Sequence, residues 1–267
     1  MTATRDPREW AGRAQAYAAS FAHLCAGGVD PLLTAAGVIG GTPAPLHLLD
    51  VGTGAGAVAS RAVALGVRVT AVDPDPGMLA LAAAAAPGAE VRSGTLPDLP
   101  FETGTFDVVV ANFVLNVVAK PRLATGELVR VAATGGRVAV TVWPADRGAL
   151  GDVWAATTGA AASPSTDLPP EDDFARTPDG LRILLADAGL DVLETVAVSW
   201  TLSLDPERLW SGAAAGVASI GRTVTAAPPA EQARMRQRFD RAVEPMLDAA
   251  GLLALPLAAV LGVGVRR

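Results

Sequence analysis

A strand-like segment that ends in alternating glycines is the part of this 267-residue chain whose spacing points most clearly to chemistry. Residues 48–51 are apolar apart from Asp50, and Gly52, Gly54 and Gly56 follow them. Glycine permits the positive φ angles of a tight bend, and its missing side chain lets a ligand lie against the backbone. Free N–H groups at the start of a following helix favour a carboxylate or a phosphate. The segment therefore predicts a bend that binds a charged small molecule.

An acidic residue follows the next strand-like segment. Asp73 lies 21 residues after Gly52. A carboxylate at this place can accept hydrogen bonds from both hydroxyls of a ribose, and such charged hydrogen bonds are each worth about 1.5–3 kcal/mol. The glycine bend and Asp73 together predict a site for a nucleoside-containing cofactor.

Two cofactor classes fit these residues. Gly52, Gly54 and Ala57 also match the dinucleotide fingerprint G-x-G-x-x-G/A, with Asp73 as its ribose-binding acid. A nicotinamide-dependent reductase is a rival hypothesis that lacks further support, because Tyr17 is the only tyrosine and Lys120 the only lysine. The chain therefore has no Tyr-x-x-x-Lys pair for a reductase.

Alternating strand-like and helix-like segments must position this loop. Strands are predicted over 46–51, 67–72, 89–92, 106–111 and 137–143, and helices over 55–65, from Asp75-Pro76 to Pro87-Gly88, and over 121–132. This alternation is typical of a doubly wound α/β fold. The fold-class prediction is a seven-stranded, mostly parallel, Rossmann-like sheet with helical lid insertions.

The alternation breaks after residue 143. Thr177 and Asp205 each precede a proline as helix-capping residues, and a strand over 191–202 and a last strand over 257–265 are predicted. The expected organisation is an N-terminal helical cap over 1–45, a core made of 46–143, 178–202 and 253–267, and lid or substrate insertions over 144–177 and 203–252. Lids at the carboxyl edge of an open sheet lie where such sheets bind ligands.

Composition excludes several classes of protein. An apolar share of 51 % and a charged share of 18 % exclude a disordered chain and a coiled coil. The net charge of −6 argues against nucleic acid as a partner. One cysteine and two histidines cannot form a Cys/His zinc cage, so no metal is predicted. The mixed charges near the N-terminus and the absence of an apolar run of about 20 residues predict no signal peptide and no membrane partner, and hence a cytoplasmic protein.

Further motifs separate the two cofactor classes. Asp50 lies two residues before the first glycine, Leu99-Pro100-Phe101 follows the third predicted strand, the fourth contains Phe106-Asp107-Val108-Val109-Val110, and Gly135-Gly136-Arg137-Val138 leads into the fifth. In this order, residues 46–143 resemble the class I S-adenosylmethionine-dependent methyltransferases, in particular the branch that acts on small molecules. The resemblance also implies that an antiparallel seventh strand lies between the fifth and sixth.

The resemblance implies S-adenosyl-L-methionine as cofactor, with S-adenosyl-L-homocysteine as product. Each family position is carried over to a residue of this chain. Gly52, Thr53, Gly54 and Gly56 would hold the methionine part, Asp50 would lie near its amino group, Asp73 would hold the ribose, and Pro74 and Met78 would pack beside the adenine. Thr95, followed by Leu96, stands where the family commonly has an adenine-contacting Asp, so the chain departs from the family pattern at this position. Asn112 and Phe113 would lie beneath the sulfonium, and Tyr17 and Phe21 would lie on an N-terminal helix that closes over the cofactor.

Fewer residues of the sequence point to the methyl acceptor and to the base that would remove its proton. His23 is the candidate general base, and Asp146 and Trp143 are candidate substrate-binding residues after the fifth strand. Trp143, Trp154, Phe174, Trp200 and Trp210 are scarce aromatics in the late half, which favours a flat, apolar acceptor. Residues 112–115 lack the Asn-Pro-Pro-aromatic motif of enzymes that methylate base amino groups.

The function predicted is methyl transfer to a small, partly apolar metabolite, such as an intermediate of secondary metabolism. Oxygen is favoured as acceptor over nitrogen or carbon. The alternative is a protein that binds the same cofactor and catalyses another step, such as a cyclisation, or only binds a ligand. The oligomeric state is open.

Overall fold

A seven-stranded sheet organises the computed structural model, which describes residues 11–41, 46–159 and 168–267. The strand order is β3-β2-β1-β4-β5-β7-β6. The bounds are His47–Val51 (β1), Arg68–Asp73 (β2), Glu90–Ser93 (β3), Phe106–Asn112 (β4), Ala132–Val142 (β5), Leu190–Leu204 (β6) and Leu253–Arg266 (β7). The β1–β2, β1–β4, β2–β3 and β4–β5 pairs are parallel, whereas β7 is antiparallel to both β5 and β6. The predicted fold class is confirmed.

Helices connect and cover the strands. Their bounds are Ala14–Ala19 (α1), Ala22–Ala26 (α2), Val29–Ala35 (α3), Ala57–Ala64 (α4), Pro76–Ala85 (α5), Pro121–Val131 (α6), Gly148–Thr158 (α7), Pro178–Asp187 (α8), Pro206–Ala214 (α9), Ala218–Ala226 (α10) and Pro229–Val243 (α11). Asp75, Thr177 and Asp205 accept hydrogen bonds from the first turns of α5, α8 and α9. These side chains satisfy amides that the helix leaves without partners, as the sequence predicts.

Both faces of the sheet are buried. On one face, Phe106 packs with Leu128 of α6 and Leu181 of α8 in a first core cluster. On the other face, Leu48 packs with Leu33 of α3 and with residues of α4. A parallel sheet covered on both faces needs continuous apolar strands, which explains the uninterrupted valines of β4.

The two last strands are longer than predicted. The β5–β7 pairing ends at Val142 and Val260, whereas the β6–β7 pairing continues to Leu204 and Leu253. The two strands therefore continue as a ribbon beyond the carboxyl end of β5. Alternate residues of this extension, such as Leu253, are buried in a second core cluster with helical residues, which explains why pairing continues there.

That second core cluster joins distant parts of the chain. It combines Phe21 and Leu24 from the N-terminal helices with Leu150 of α7, Leu209 of α9 and Phe239 of α11. The helices that contribute to it are called the helical layer below. Its role as a lid stays a prediction, as does the division of the chain into cap, core and insertions.

Some sequence predictions differ at their ends or fall outside the described ranges. The helix predicted from residue 55 begins at Ala57, because Gly56 has φ +85° and breaks the helical backbone. The sequence also predicts a helix near residues 150–162. The structure describes it as α7, and residues 160–162 lie outside the described ranges, as do the first ten residues of the predicted cap. No helix in the described part of the chain is long and apolar enough to cross a membrane.

Candidate active site

The glycine bend lies between β1 and α4. Gly52, Gly54 and Gly56 have φ angles of +66°, +55° and +85°, which an L side chain rarely adopts. A Cβ on Gly52 would lie 2.6 Å from Cγ2 of Val114, and a Cβ on Gly56 would lie 2.8 Å from Cα of Ala82. The bend can therefore be formed only by residues without a side chain at these positions.

Replacing Gly56 by alanine tests this geometry against a matched control. Gly66 has φ +79°, and a Cβ added there would meet no atom within 4 Å, so Gly66→Ala adds backbone strain alone, about 1–2 kcal/mol. At Gly56 the added carbon also meets the backbone of Ala82, which raises the expected loss in free energy of unfolding to about 2–4 kcal/mol. Urea unfolding of the two variants measures the difference. Equal losses would show that the close approach to Ala82 carries no cost.

Asp50 is an acid enclosed beneath the bend. It is 1 % exposed, and its Oδ2 accepts hydrogen bonds from Thr53 Oγ1 at 2.7 Å and from Ala59 N at 3.2 Å. Burial raises the pKa of Asp50 from its ordinary value of 3.8 to about 7, and the two hydrogen bonds oppose that rise. A cation placed next to Asp50 would favour its ionised form.

Asp73 joins the end of β2 to the same bend. Its Oδ2 accepts a hydrogen bond from Gly54 N at 3.0 Å, and its Oδ1 accepts one from Asp75 N at 3.0 Å. Burial raises the pKa of Asp73, and these two hydrogen bonds oppose the rise. Each carboxylate oxygen has a further lone pair, so the group can still accept hydrogen bonds from two hydroxyls.

The first helix covers the bend. The ring of Tyr17 lies 3.4 Å from the place where a Cβ on Gly54 would be, and its hydroxyl lies 3.8 Å from Cys25 Sγ. Burial raises the pKa of Tyr17 above its ordinary value. The predicted closure of an N-terminal helix over this loop thus agrees with the place of Tyr17. Phe21 instead packs in the helical layer, where its ring stacks on Trp154 at 6.2 Å.

The residues predicted near adenine surround the start of α5. Met78 is buried and its N–H donates to the capping carboxylate of Asp75, whereas Pro74 is exposed. Thr95 is exposed and pairs with Asp98 in an isolated β-bridge, and Leu96 packs partly against the first core cluster. Asp98 is an acidic residue that was not predicted from the sequence to lie near the adenine.

The loop after β4 is tied to its neighbours on both sides. Asn112 Oδ1 accepts a hydrogen bond from Thr141 Oγ1 at 2.6 Å, and Asn112 Nδ2 donates to Cys25 O at 3.2 Å. Phe113 has φ +60°, which is uncommon for a residue with a side chain and stores strain. Two strands and the α2 segment therefore fix this loop.

An aromatic cluster formed by Phe113, Trp143 and Trp200 lies at the strand ends. The rings of Phe113 and Trp143 stack at 4.1 Å, and the ring of Trp200 lies 6.1 Å from that of Trp143 and 6.3 Å from that of Phe113. Asn116 holds Trp143, accepting from its main-chain N at 2.7 Å and donating to its O at 3.3 Å. Gly27 packs directly on the indole of Trp200. Trp143 was predicted from the sequence as a substrate-binding residue, but its contacts with Trp200 and Asn116 were not predicted.

Two other candidates have different surroundings. His23 Nε2 lies 3.3 Å from Nη1 of Arg208, an exposed pair between α2 and α9. Asp146 is exposed and its Oδ1 accepts from Gly148 N at 2.8 Å at the start of α7. These contacts connect both residues to the helical layer, and their roles stay predictions.

The bend and its two acids fit an amino-acid group and a ribose. A side chain at position 54 would narrow the space under Tyr17. Asp50 can balance the charge of an ammonium group, and Asp73 can accept hydrogen bonds from hydroxyls. An open depression lined by Gly27, Asp30, Ala57 and Arg61 lies between α3 and α4, next to the end of the bend. These donors and acceptors match the polar groups of S-adenosylmethionine.

Comparisons with known proteins place part of the chain in a described family. Residues 49–140 match the sequence model of a family described as "Methyltransferase domain". No curated protein matches the chain in sequence.

Solved structures of the same fold have low sequence identity to the chain. BH2331 of Bacillus halodurans C-125 is 17 % identical, with a TM-score of 0.56 over 89 % of this chain and 98 % of that one. The cyclase SpnF is 20 % identical, with a TM-score of 0.52 over 91 % and 81 %. A geranyl diphosphate methyltransferase in complex with GPP and sinefungin is 17 % identical, with a TM-score of 0.50 over 90 % and 77 %. Likeness at this level shows the fold.

Proposed function

We propose that this chain is an S-adenosylmethionine-dependent methyltransferase that acts on a small, partly apolar metabolite, starting from the match of residues 49–140 to a methyltransferase domain. An oxygen atom is favoured as acceptor over nitrogen or carbon. An intermediate of secondary metabolism is the kind of acceptor we propose, and the cytoplasm is the proposed location.

The aromatic cluster is the observation that carries this proposal. Phe113 follows the carboxyl end of β4 and Trp143 follows that of β5, so these two rings lie at the edge where open α/β sheets bind ligands, and Trp200 joins them from β6. Stacked rings offer flat apolar area to a planar acceptor, and Trp143 is the proposed substrate-binding residue in it. The negative net charge and the absence of an Asn-Pro-Pro motif at residues 112–114 support a small molecule over nucleic acid.

The proposed cofactor contacts are those that the family resemblance implies, and the geometry of the bend supports the contacts of Asp50, Asp73 and the glycines. The amides of residues 52–56 and Thr53 would hold the methionine part, Asp50 its ammonium group, and Asp73 the ribose. Pro74, Met78, Thr95 and Leu96 would surround the adenine, and Tyr17 would cover the cofactor, with Phe21 behind it in the helical layer. Asn112 and Phe113 would border the reacting centre. When bound, the cofactor supplies an electrophilic methyl group, so the chain mainly has to align the acceptor and exclude water.

The acceptor proton is assigned to His23 in this proposal, with Asp146 as a second polar group near the acceptor. His23→Ala is expected to lower kcat about 10–100-fold with little change in affinity for S-adenosylhomocysteine, since general-base catalysis contributes in this range. The check is a kcat–pH profile with calorimetry of the product complex. A full rate across the pH range would make the contact of His23 with Arg208 structural only, and Arg208→Gln serves as the control for that contact.

The proposed function is tested with cofactor labelled in its methyl group. The protein is incubated with labelled S-adenosylmethionine and a panel of planar phenols, amines and activated-carbon compounds, and label transfer is measured. Transfer to phenols before the other classes is expected. Tight cofactor binding without transfer to any compound would overturn the proposal and favour the alternative, cofactor-dependent catalysis of another reaction such as the cyclisation for which SpnF is named.

A further inference from the structure

Two buried side chains keep hydrogen-bond donors without acceptors. Within residues 11–41, 46–159 and 168–267, the buried side-chain atoms that lack a partner are Nε and Nη2 of Arg176 and Nε1 of Trp200. Arg176 is 8 % exposed, and its guanidinium stays charged in proteins. A buried charged donor without an acceptor is more costly than a neutral one. Among the described residues, Arg176 is therefore the side chain for which the lack of a hydrogen-bond acceptor costs most.

The other side of Arg176 is held firmly. Its Nη1 donates to Asp173 Oδ1 at 2.7 Å and to Phe174 O at 2.8 Å, and its Cζ lies 4.6 Å from the centre of the Phe174 ring. These contacts fix the plane and orientation of the guanidinium. The remaining Nε–Nη2 edge presents two parallel N–H groups, the geometry that pairs with both oxygens of a carboxylate.

The position of Arg176 connects it to the candidate active site. Its carbonyl accepts a hydrogen bond from Ala145 N at 3.4 Å, two residues after Trp143. Phe174, on which the guanidinium lies, belongs to the same core cluster as Leu115 and Val142. Leu115 lies in the loop after β4 and Val142 is the last residue of β5, so Phe174 packs in the same cluster as the ends of these two strands, whereas Trp143 and Trp200 pack against the second core cluster.

We propose that the Nε–Nη2 edge of Arg176 binds a carboxylate, and that this carboxylate belongs to the methyl acceptor. The second half of this statement rests on the proposed function, whereas the binding of a carboxylate does not. The acceptor is then an aromatic or unsaturated acid. Because Asp173 already balances the charge of Arg176, the site holds its anion by the geometry of the two N–H groups more than by net charge.

Benzoate is the probe for the anion site. Isothermal titration of the full chain with sodium benzoate is expected to give a dissociation constant of about 1 mM, as for other ligands of this size. Benzyl alcohol has the same ring without the charge and should bind at least about tenfold more weakly. Absence of benzoate binding, equal binding of benzyl alcohol, or equal binding of inorganic phosphate would each overturn the proposal.

Three variants locate the site. Arg176→Lys keeps the charge but loses the planar edge, and it should weaken benzoate binding about tenfold. Arg182→Lys makes the same exchange at an exposed arginine of α8 and should leave binding unchanged. Asp173→Asn removes the competing negative charge while keeping an oxygen acceptor, and it should tighten binding several-fold. Unchanged affinity in Arg176→Lys or weaker binding in Asp173→Asn would overturn the proposal, and the latter decides if Arg176→Lys does not fold.

The link to methyl transfer is tested with pairs of hydroxylated aromatic acids and their methyl esters. Labelled methyl groups are expected on the acids, with at least about tenfold higher kcat/KM than on the esters. Esters methylated as fast as the acids would overturn the acceptor role of the carboxylate while leaving the proposed methyl transfer intact. No methylation of either member, together with benzoate binding, would overturn the proposed function and the acceptor role but not the anion site.

Discussion

Asp73→Ala is expected to weaken binding of S-adenosylhomocysteine by a factor of at least about ten, and up to about a thousand. The carboxylate is the proposed acceptor for two ribose hydroxyls, and it also accepts the Gly54 N–H that shapes the bend. Its removal therefore takes away ligand contacts and loosens the loop that holds the rest of the cofactor. Isothermal titration of the folded variant measures the loss.

Asp107→Ala is the matched control for this experiment. Asp107 also lies in the sheet and accepts one backbone hydrogen bond, from His47 N at 2.9 Å, but it lies at the start of β4 rather than at the carboxyl edge. Both variants lose an acceptor for a main-chain N–H, so both should lose some thermal stability. Unchanged affinity in Asp73→Ala, or equal losses of affinity in the two variants, would remove Asp73 from the cofactor site.

Local signals in the sequence were sufficient for the bend and for the helix starts. Alternating glycines can be predicted to form a left-handed bend because few other residues tolerate these φ angles, and the bend is present at Gly52–Gly56. Asp75, Thr177 and Asp205 each precede a proline, and each caps the helix that was predicted after it. Such features depend on a few neighbouring residues, so one sequence contains the information.

Contacts between distant segments could not be predicted in the same way. Gly27 packs on Trp200, and Asn112 donates to Cys25, although more than eighty residues separate the members of each pair. The chain offers no periodic pattern that brings them together, because their contact depends on how the helical layer is placed on the sheet. The length of the β6–β7 ribbon was underestimated for the same reason, since its outer half is stabilised by that layer.

The lack of a hydrogen-bond acceptor at Arg176 could also not be predicted from the sequence. Arginines are usually exposed, and Arg176 is followed by a helix start that explains the local sequence well. Only the burial of the side chain, together with the occupied Nη1, reveals the unused edge. A buried polar group is informative because solvent cannot satisfy it, and its partner must be supplied by the chain or by a ligand.

Asp50 predicts that cofactor binding is linked to the release of a proton. With a pKa of about 7, the free protein holds Asp50 largely protonated at pH 6. The ammonium group of S-adenosylhomocysteine placed nearby would favour the carboxylate, so binding at pH 6 should release up to about one proton. Affinity should therefore rise as the pH increases towards 7 and level off above it. Titration at pH 6 in two buffers with different ionisation enthalpies measures the proton count.

Asp50→Asn tests whether the released proton comes from Asp50. Both hydrogen bonds to Asp50 end on Oδ2, so the single oxygen of asparagine can accept them and the bend should keep its shape. The variant should bind with no proton release from this site and with at least about tenfold lower affinity at pH 8.

The stability of the ligand-free protein gives an independent check that folding raises the pKa of Asp50. Because the folded state raises the pKa of Asp50 from 3.8, it binds more protons than the unfolded state between about pH 4 and 7, and the free energy of unfolding falls as the pH rises through this window. The asparagine variant lacks this loss, so without ligand it should be more stable than the parent by roughly 2–4 kcal/mol above pH 7 and similar to it near pH 4. Urea unfolding across this range measures both curves. Parallel curves would mean that Asp50 is ionised in the free protein, and its place beneath the bend would then require a cation even before the cofactor binds.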